Sequence, residues 1–153
     1  MAINKIICAT KGSKESQLAE DKAIEIAKEN NASLVFLHII DIELLEKGGD
    51  VSELALEDLE AGMKNIGNVI LQAAMEKAIE NGIAPDRIAR EEDKGKFMDV
   101  IKAHVENHRA DLVVVGHSMA SKGFVDRFLL SKEKTGAFEK KIKEQVKCEI
   151  RIV

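Results

Sequence analysis

The 153-residue chain has no tryptophan, no tyrosine and only five phenylalanines. A platform that stacks single-stranded bases needs aromatic faces, and a flavin site commonly uses them, so both readings lack their material. Basic residues are not in excess: 23 Lys and Arg stand against 27 Asp and Glu, for a formal net charge of −4. Nucleic-acid backbones and anionic membranes select basic faces, so neither nucleic acid nor membrane is expected as a partner. No apolar stretch nears the ~18–20 residues of a membrane span. Two cysteines cannot build a disulfide framework, and Met1-Ala2-Ile3-Asn4-Lys5 runs into an apolar segment without a cleavable signal pattern. A reducing, cytoplasmic setting is therefore expected. With one proline, no low-complexity tract and no internal repeat, the expectation is a single domain over residues 1–153.

What is present is alternation. Ile3–Thr10 is a short apolar run, and Ser13 is placed to cap a helix reaching about Asn30. Ala32–Ile40 is a second strand. A helical pattern runs from about Ser52 to Asn81 and stops at Gly82. Ile83–Arg90 reads as a weaker third strand, where Pro85 suits a sheet edge or a strand start. Phe97, Val100, Ile101, His104 and Val105 trace one face of a helix from Lys96 to Asn107. Asp111–Val115 is the clearest strand. A polar segment over 117–135, a helix from Gly136 to Gln145 and a strand Cys148–Val153 follow. This order predicts an α/β fold: a five-stranded parallel, doubly wound, Rossmann-like sheet with helices on both faces.

In such a sheet, ligands bind beyond the carboxyl ends of strands where strand order reverses. The loops available there are Ala9-Thr10-Lys11-Gly12-Ser13 and Gly116-His117-Ser118. Glycines allow close backbone approach, and a following helix presents free N–H groups to an anion. Ile6-Ile7-Cys8-Ala9-Thr10-Lys11-Gly12-Ser13, Leu34-Val35-Phe36-Leu37-His38-Ile39-Ile40-Asp41, Ala110 through Gly116 and the terminal Cys148-Glu149-Ile150-Arg151-Ile152-Val153 together resemble the universal stress protein family, in the family's order over essentially the whole chain. The resemblance implies the strand order 3-2-1-4-5, shared with adenine-nucleotide alpha hydrolase-like folds, and a homodimer paired through Cys148–Val153. Many members bind ATP and others do not.

The chain departs from the ATP-binding pattern at three places. Lys11 stands where the resemblance implies an Asp, Met119 replaces the second glycine of a Gly-x-x-Gly turn, and the pair opening the last helix reads Gly136-Ala137 without its hydroxyl. The 16 residues between Met119 and Gly136 exceed the family's short spacing. Ile39, at the aliphatic position after His38, conforms. A cation cannot accept a hydrogen bond, and a buried ligand hydroxyl left unpaired costs about 1–3 kcal/mol. The expected cleft comprises Ala9, Thr10, Lys11, Ile39, Val115, Gly116, His117, Met119, Gly136 and Ala137. The reading is a dimeric signalling module and not an enzyme, with a degenerate nucleotide-type cleft that requires no cofactor. The alternative is ATP, with Mg²⁺, held through its phosphates by Lys11 and the lysines of the 117–135 segment.

Other groupings weigh less. No P-loop, phosphoacceptor Asp pair or Ser-His-Asp order is legible. His104 and His108 have the spacing of two metal ligands on one helix, but position 105 is Val105 and no third ligand is evident, so a solvated helix end is expected and no metal is assigned. His38 is expected as a satisfied buried histidine. Cys8 and Cys148, two strands apart in the expected order, should be packed thiols. Lys140, Lys141, Lys143 and Lys147 give the last helix a basic face, a candidate surface for an acidic partner, and the 41–52 stretch with Leu44 and Leu45 is a candidate cover for the cleft or a dimer or partner surface.

Overall fold

The computed structural model describes residues 2–41, 53–117, 140 and 143–153. Five strands, β1 (Lys5–Ala9), β2 (Ser33–Asp41), β3 (Ile88–Gly95), β4 (Leu112–Val115) and β5 (Glu149–Ile152), form one sheet of order β3-β2-β1-β4-β5. All four pairings are parallel. Helices α1 (Lys14–Asn30), α2 (Glu53–Glu80) and α3 (Phe97–His108) connect them. None of the helices in the described residues is long and apolar enough to cross a membrane.

Strand alternation divides the core between the two faces. Ile6, Cys8, Leu34, Phe36, Leu112 and Val114 meet α1 and α2, where Ala19, Ala23, Ala27, Ala74 and Ala78 let the helices approach closely. Ile7, Ala9, Val35, Leu37, Val113 and Val115 meet Phe97, Val100, Ile101 and Val105 of α3, together with Val146 and Ile150. Cys8 and Cys148 consequently pack on opposite faces, both as free thiols. Burial, and then the charge of Glu20, push the Cys8 thiol pKa far up, while burial with Asp111 and Glu149 raises Cys148 to about 11. Neither is a ready thiolate at neutral pH.

Capping follows the local chemistry. Ser13 caps α1, its Oγ accepting from the Ser16 N–H at 3.2 Å. Asn31 closes α1 in the left-handed region, at φ 54°. After α2, Gly82 takes φ +99° and ends the helical path, as the sequence predicts.

The third strand differs from expectation. It lies at Ile88–Gly95 rather than Ile83–Arg90, because Pro85 opens a 3₁₀ turn, Pro85–Arg87, closed by the Arg87 N–H on the Ala84 carbonyl at 2.9 Å. A ring-fixed φ and a missing N–H suit the first position of such a turn. Ile83 instead packs into the core as the chain leaves α2. The strand itself is largely charged, Arg90-Glu91-Glu92-Asp93-Lys94, so a reading that follows apolar runs passes over it. Its edge position tolerates those charges, since only β2 pairs with it. The expected helix from Gly136 lies mostly outside the described residues; Lys140 and 143–145 are helical. The 42–52 stretch and most of the 117–135 segment also lie outside them.

Asp111 joins the starts of β1 and β4. Its Oδ2 accepts from the N–H groups of Asn4 at 2.8 Å and Lys5 at 3.0 Å, and its own N–H donates to the Lys5 carbonyl at 2.9 Å. Asp111→Ala is expected to cost about 1–2 kcal/mol, two charge-assisted bonds partly replaced by water. Urea unfolding checks this: the midpoint should fall while the slope is unchanged.

Candidate functional site

The topology places the switch point beside β1. Ala9 is level with Leu37 on one side and Val115 on the other, so the loops leaving β1 and β4 start next to each other. Strand order reverses there: one path turns toward β2 and the other toward β5. Ala9 and Val115 are fully buried, and Ile39, two residues beyond Leu37 on β2, is 9% exposed. All three belong to the core that α3 covers.

Thr10 is fully buried, and its polar groups serve the framework. Its N–H donates to the Leu37 carbonyl at 2.9 Å, and its hydroxyl donates to Glu20 Oε2 at 2.5 Å. Glu20, 4% exposed, is held in turn by Lys77 of α2, whose Nζ lies 2.9 Å from Glu20 and 2.9 Å from Asp21. Burial works against the Lys77 charge, but its bonds to Glu20 and Asp21 outweigh that and raise its pKa. The Thr10 side chain is therefore the end of a charged strut crossing α1 to α2.

Lys11 is exposed at the end of β1, and its N–H donates to Ser16 Oγ at 3.2 Å. Ser13 Oγ donates to the same Ser16 oxygen at 3.0 Å, tying the loop to the first turn of α1. The N–H of Gln17 makes the first intrahelical bond, to the Ser13 carbonyl at 2.9 Å, so of the helix's unpaired first-turn donors the Ser16 N–H is the one spent internally, on Ser13 Oγ. Gly12 has φ +80°, and a Cβ there would stand 2.9 Å from Ile70 Cδ1. That turn requires glycine for conformation and for space.

Gly116 is explained by a close approach to α1. A Cβ at 116 would meet the backbone carbon and oxygen of Glu15 at 2.7 Å and the Ser16 nitrogen at 2.9 Å. His117 is exposed, and its N–H extends the β4–β5 ladder to the Val153 carbonyl at 2.8 Å. The structure thus brings Ala9, Thr10, Lys11, Val115, Gly116 and His117 together, with Ile39 further along the neighbouring strand. Met119, Gly136 and Ala137 lie outside the described residues. Beside the crevice, a separate groove of ≈ 340 Å³ between α1 and α2 has Glu20 and Lys77 in its lining.

The histidines are distributed by the sheet. His38, 4% exposed, faces α2 and pairs through Nδ1 with Glu92 Oε2 at 3.0 Å, the satisfied buried residue expected. Gly67 of α2 leaves the space in which that pair sits. His104 and His108 are not a solvated helix end; their side chains are 12% and 22% exposed and meet Glu91 of β3. Sequence reasoning missed Glu91 because its strand was displaced. Counting from Ile88, the two-residue alternation of Glu91 and Asp93 is the signal that could have found it.

A parallel, doubly wound sheet with a crevice between the ends of β1 and β4 defines the Rossmann-like α/β class. The Universal stress protein family's pattern matches residues 2–133, and the chain belongs to that family. It is similar to "Universal stress protein YxiE" of Bacillus subtilis (strain 168), 29% identical over 155 residues that cover 98% of each chain. Among solved structures it resembles universal stress protein UspA from Lactobacillus plantarum, with TM-score 0.76 at 15% identity over 100% of this chain and 99% of that one. It also resembles a universal stress protein in complex with cAMP, with TM-score 0.69 at 24% identity over 100% and 98% of the two chains. Likeness at these identities establishes the fold.

Two outcomes follow from the geometry. Gly116→Ala should destabilise the ligand-free protein by about 1–3 kcal/mol, since backbone of α1 must move to admit a methyl group; thermal unfolding without nucleotide reads this. Lys77→Met should lower stability by about 2 kcal/mol at neutral pH, because Glu20 loses its buried partner while the 29% exposure of Lys77 softens the loss. The lysine pKa is raised on folding, so its contribution is complete below the unfolded value of about 10.4 and is lost as pH rises through the folded one. The gap between the two proteins, followed by urea unfolding, should therefore be constant near pH 7 and narrow above about 10.5.

Proposed function

We propose that this universal stress protein is a dimeric binding and signalling module whose nucleotide-type crevice has lost its nucleoside grip, and that it acts through protein contacts and not as a catalyst. The observation that carries this reading is the end of β1. The family's ATP-binding pattern implies an acceptor carboxylate there, and the exposed residue is Lys11, which offers only donors. The neighbouring polar groups are spent as well: Thr10 on Glu20, and Ser13 and Ser16 on each other and on the Lys11 N–H. β5 ends the sheet, so its outer edge supports pairing with a second copy through Cys148–Val153.

A second reading rests on the relative solved in complex with cAMP. An adenine nucleotide entering this crevice in a changed pose would place its phosphates against Lys11, a point charge suited to them. ATP with Mg²⁺ is the nucleotide to test, with Lys11 and the lysines of the 117–135 segment on the phosphates. Both readings are of a cytoplasmic protein.

Native mass spectrometry of the purified protein, followed by calorimetric titration with ATP and Mg²⁺, separates them. The expected result is a dimer mass without nucleotide and no saturable heat. Lys11→Asp should then gain ATP affinity by about one to two decades, the value of one buried hydroxyl re-paired. A micromolar isotherm in the wild type that Lys11→Asp weakens overturns the first reading in favour of the second.

A further inference from the structure

Away from the crevice, α3 and the edge strand β3 bring four titratable side chains together. His104 and His108 lie four residues apart on one face of α3, their rings 5.9 Å apart and 24° from parallel. Glu91 and Asp93 lie two apart on β3, beside Leu37 and Ile39 of the face that α3 covers. Glu91 Oε1 is 3.2 Å from His104 Nδ1, and Glu91 Oε2 is 3.0 Å from His108 Nε2, which Oε1 also contacts. The remaining nitrogen of His104, Nε2, is 2.9 Å from Asp93 Oδ2.

One donor atom from each of Glu91, His104 and His108 lies within 4.8 Å of the others. Around a tetrahedral zinc with bonds of ~2.0–2.1 Å, donors stand about 3.3 Å apart. The 3.2 Å from Glu91 Oε1 to His104 Nδ1 already meets this, as does the 3.0 Å from Glu91 Oε2 to His108 Nε2 to within about 0.3 Å. We propose that Glu91, His104 and His108 form a divalent transition-metal site, best matched by Zn²⁺, with Asp93 as the outer carboxylate that orients His104.

The chemistry supports each role. Two imidazoles and one carboxylate form the donor set of zinc and its neighbours, whereas Ca²⁺ and Mg²⁺ take oxygen. A ligating histidine commonly donates its second N–H to a carboxylate, which fixes its tautomer, and Asp93 stands where that bond is needed. With both histidines neutral, the cluster carries two carboxylate charges that one dication cancels. Three protein ligands leave a fourth position for water or for a partner's side chain. Bound metal would clasp the sheet's edge strand to the last turns of α3 and stabilise the fold by mass action.

Titration of chelator-treated protein with zinc chloride by calorimetry tests this. One Zn²⁺ per chain is expected, with at least hundredfold loss of affinity in the His104→Gln/His108→Gln double variant. Glu91→Gln, nearly isosteric, should also lose most of the affinity, and Asp93→Asn should weaken it by about tenfold to hundredfold while circular dichroism is unchanged. Co²⁺ should give the visible d–d absorption of a four-coordinate site, absent from Glu91→Gln. Wild-type protein that binds no zinc, or zinc binding retained in both Glu91→Gln and the double variant, overturns the proposal.

Discussion

The parallel pairing of β1 on both of its edges is the constraint from which the rest follows. With β2 on one side and β4 on the other, Ile6, Ile7, Cys8 and Ala9 have no exposed surface, so both faces of the sheet must be roofed by helices. A parallel strand cannot be reached by a hairpin, and among the described residues the crossover helices α1, α2 and α3 supply those roofs. The reversal of strand order beside β1 is a by-product of this winding. It leaves two loop ends with no strand between them, and that gap is the crevice. Asp111 ties the other end of the same strand pair, so β1 is anchored at both ends.

Around the crevice, polar groups that could meet a ligand are used to hold the elements in place. Thr10 reaches α2 through Glu20 and Lys77, and the Ser13–Ser16 bond holds the loop to α1. Gly116 lets the exit of β4 lie on the first turn of that helix. A fold shared at 15–24% identity does not carry a site's chemistry, which belongs to a few side chains at loop ends. Lys11, exposed at the end of β1, is one such side chain.

The sequence was legible where burial and periodicity coincide. β1, β2 and β4 are apolar because both faces are covered, and α3 shows its core stripe because one face meets the sheet. The Ser13 cap and the Gly82 stop were readable because each acts through its own backbone. β3 was misplaced for a physical reason: an edge strand with charged residues has no apolar run to follow, and Ile83, which looks like part of one, belongs to the exit of α2. The position of the crevice followed from topology, whereas the engagement of Thr10 by Glu20 depends on α1 packing back on β1.

By itself, then, the sequence determined the alternation of strands and helices, the family, the buried His38 and the cation at the end of β1, since these are properties of single residues or of local periods. Only the tertiary structure decided what those residues meet. It turned Thr10 toward a charged strut, seated Gly116 on α1 and set Glu91 against two histidines more than a helical turn away along the chain. Side-chain partners across a parallel sheet are chosen by strand register and helix docking. Both depend on the whole core closing at once, which no local stretch of sequence records.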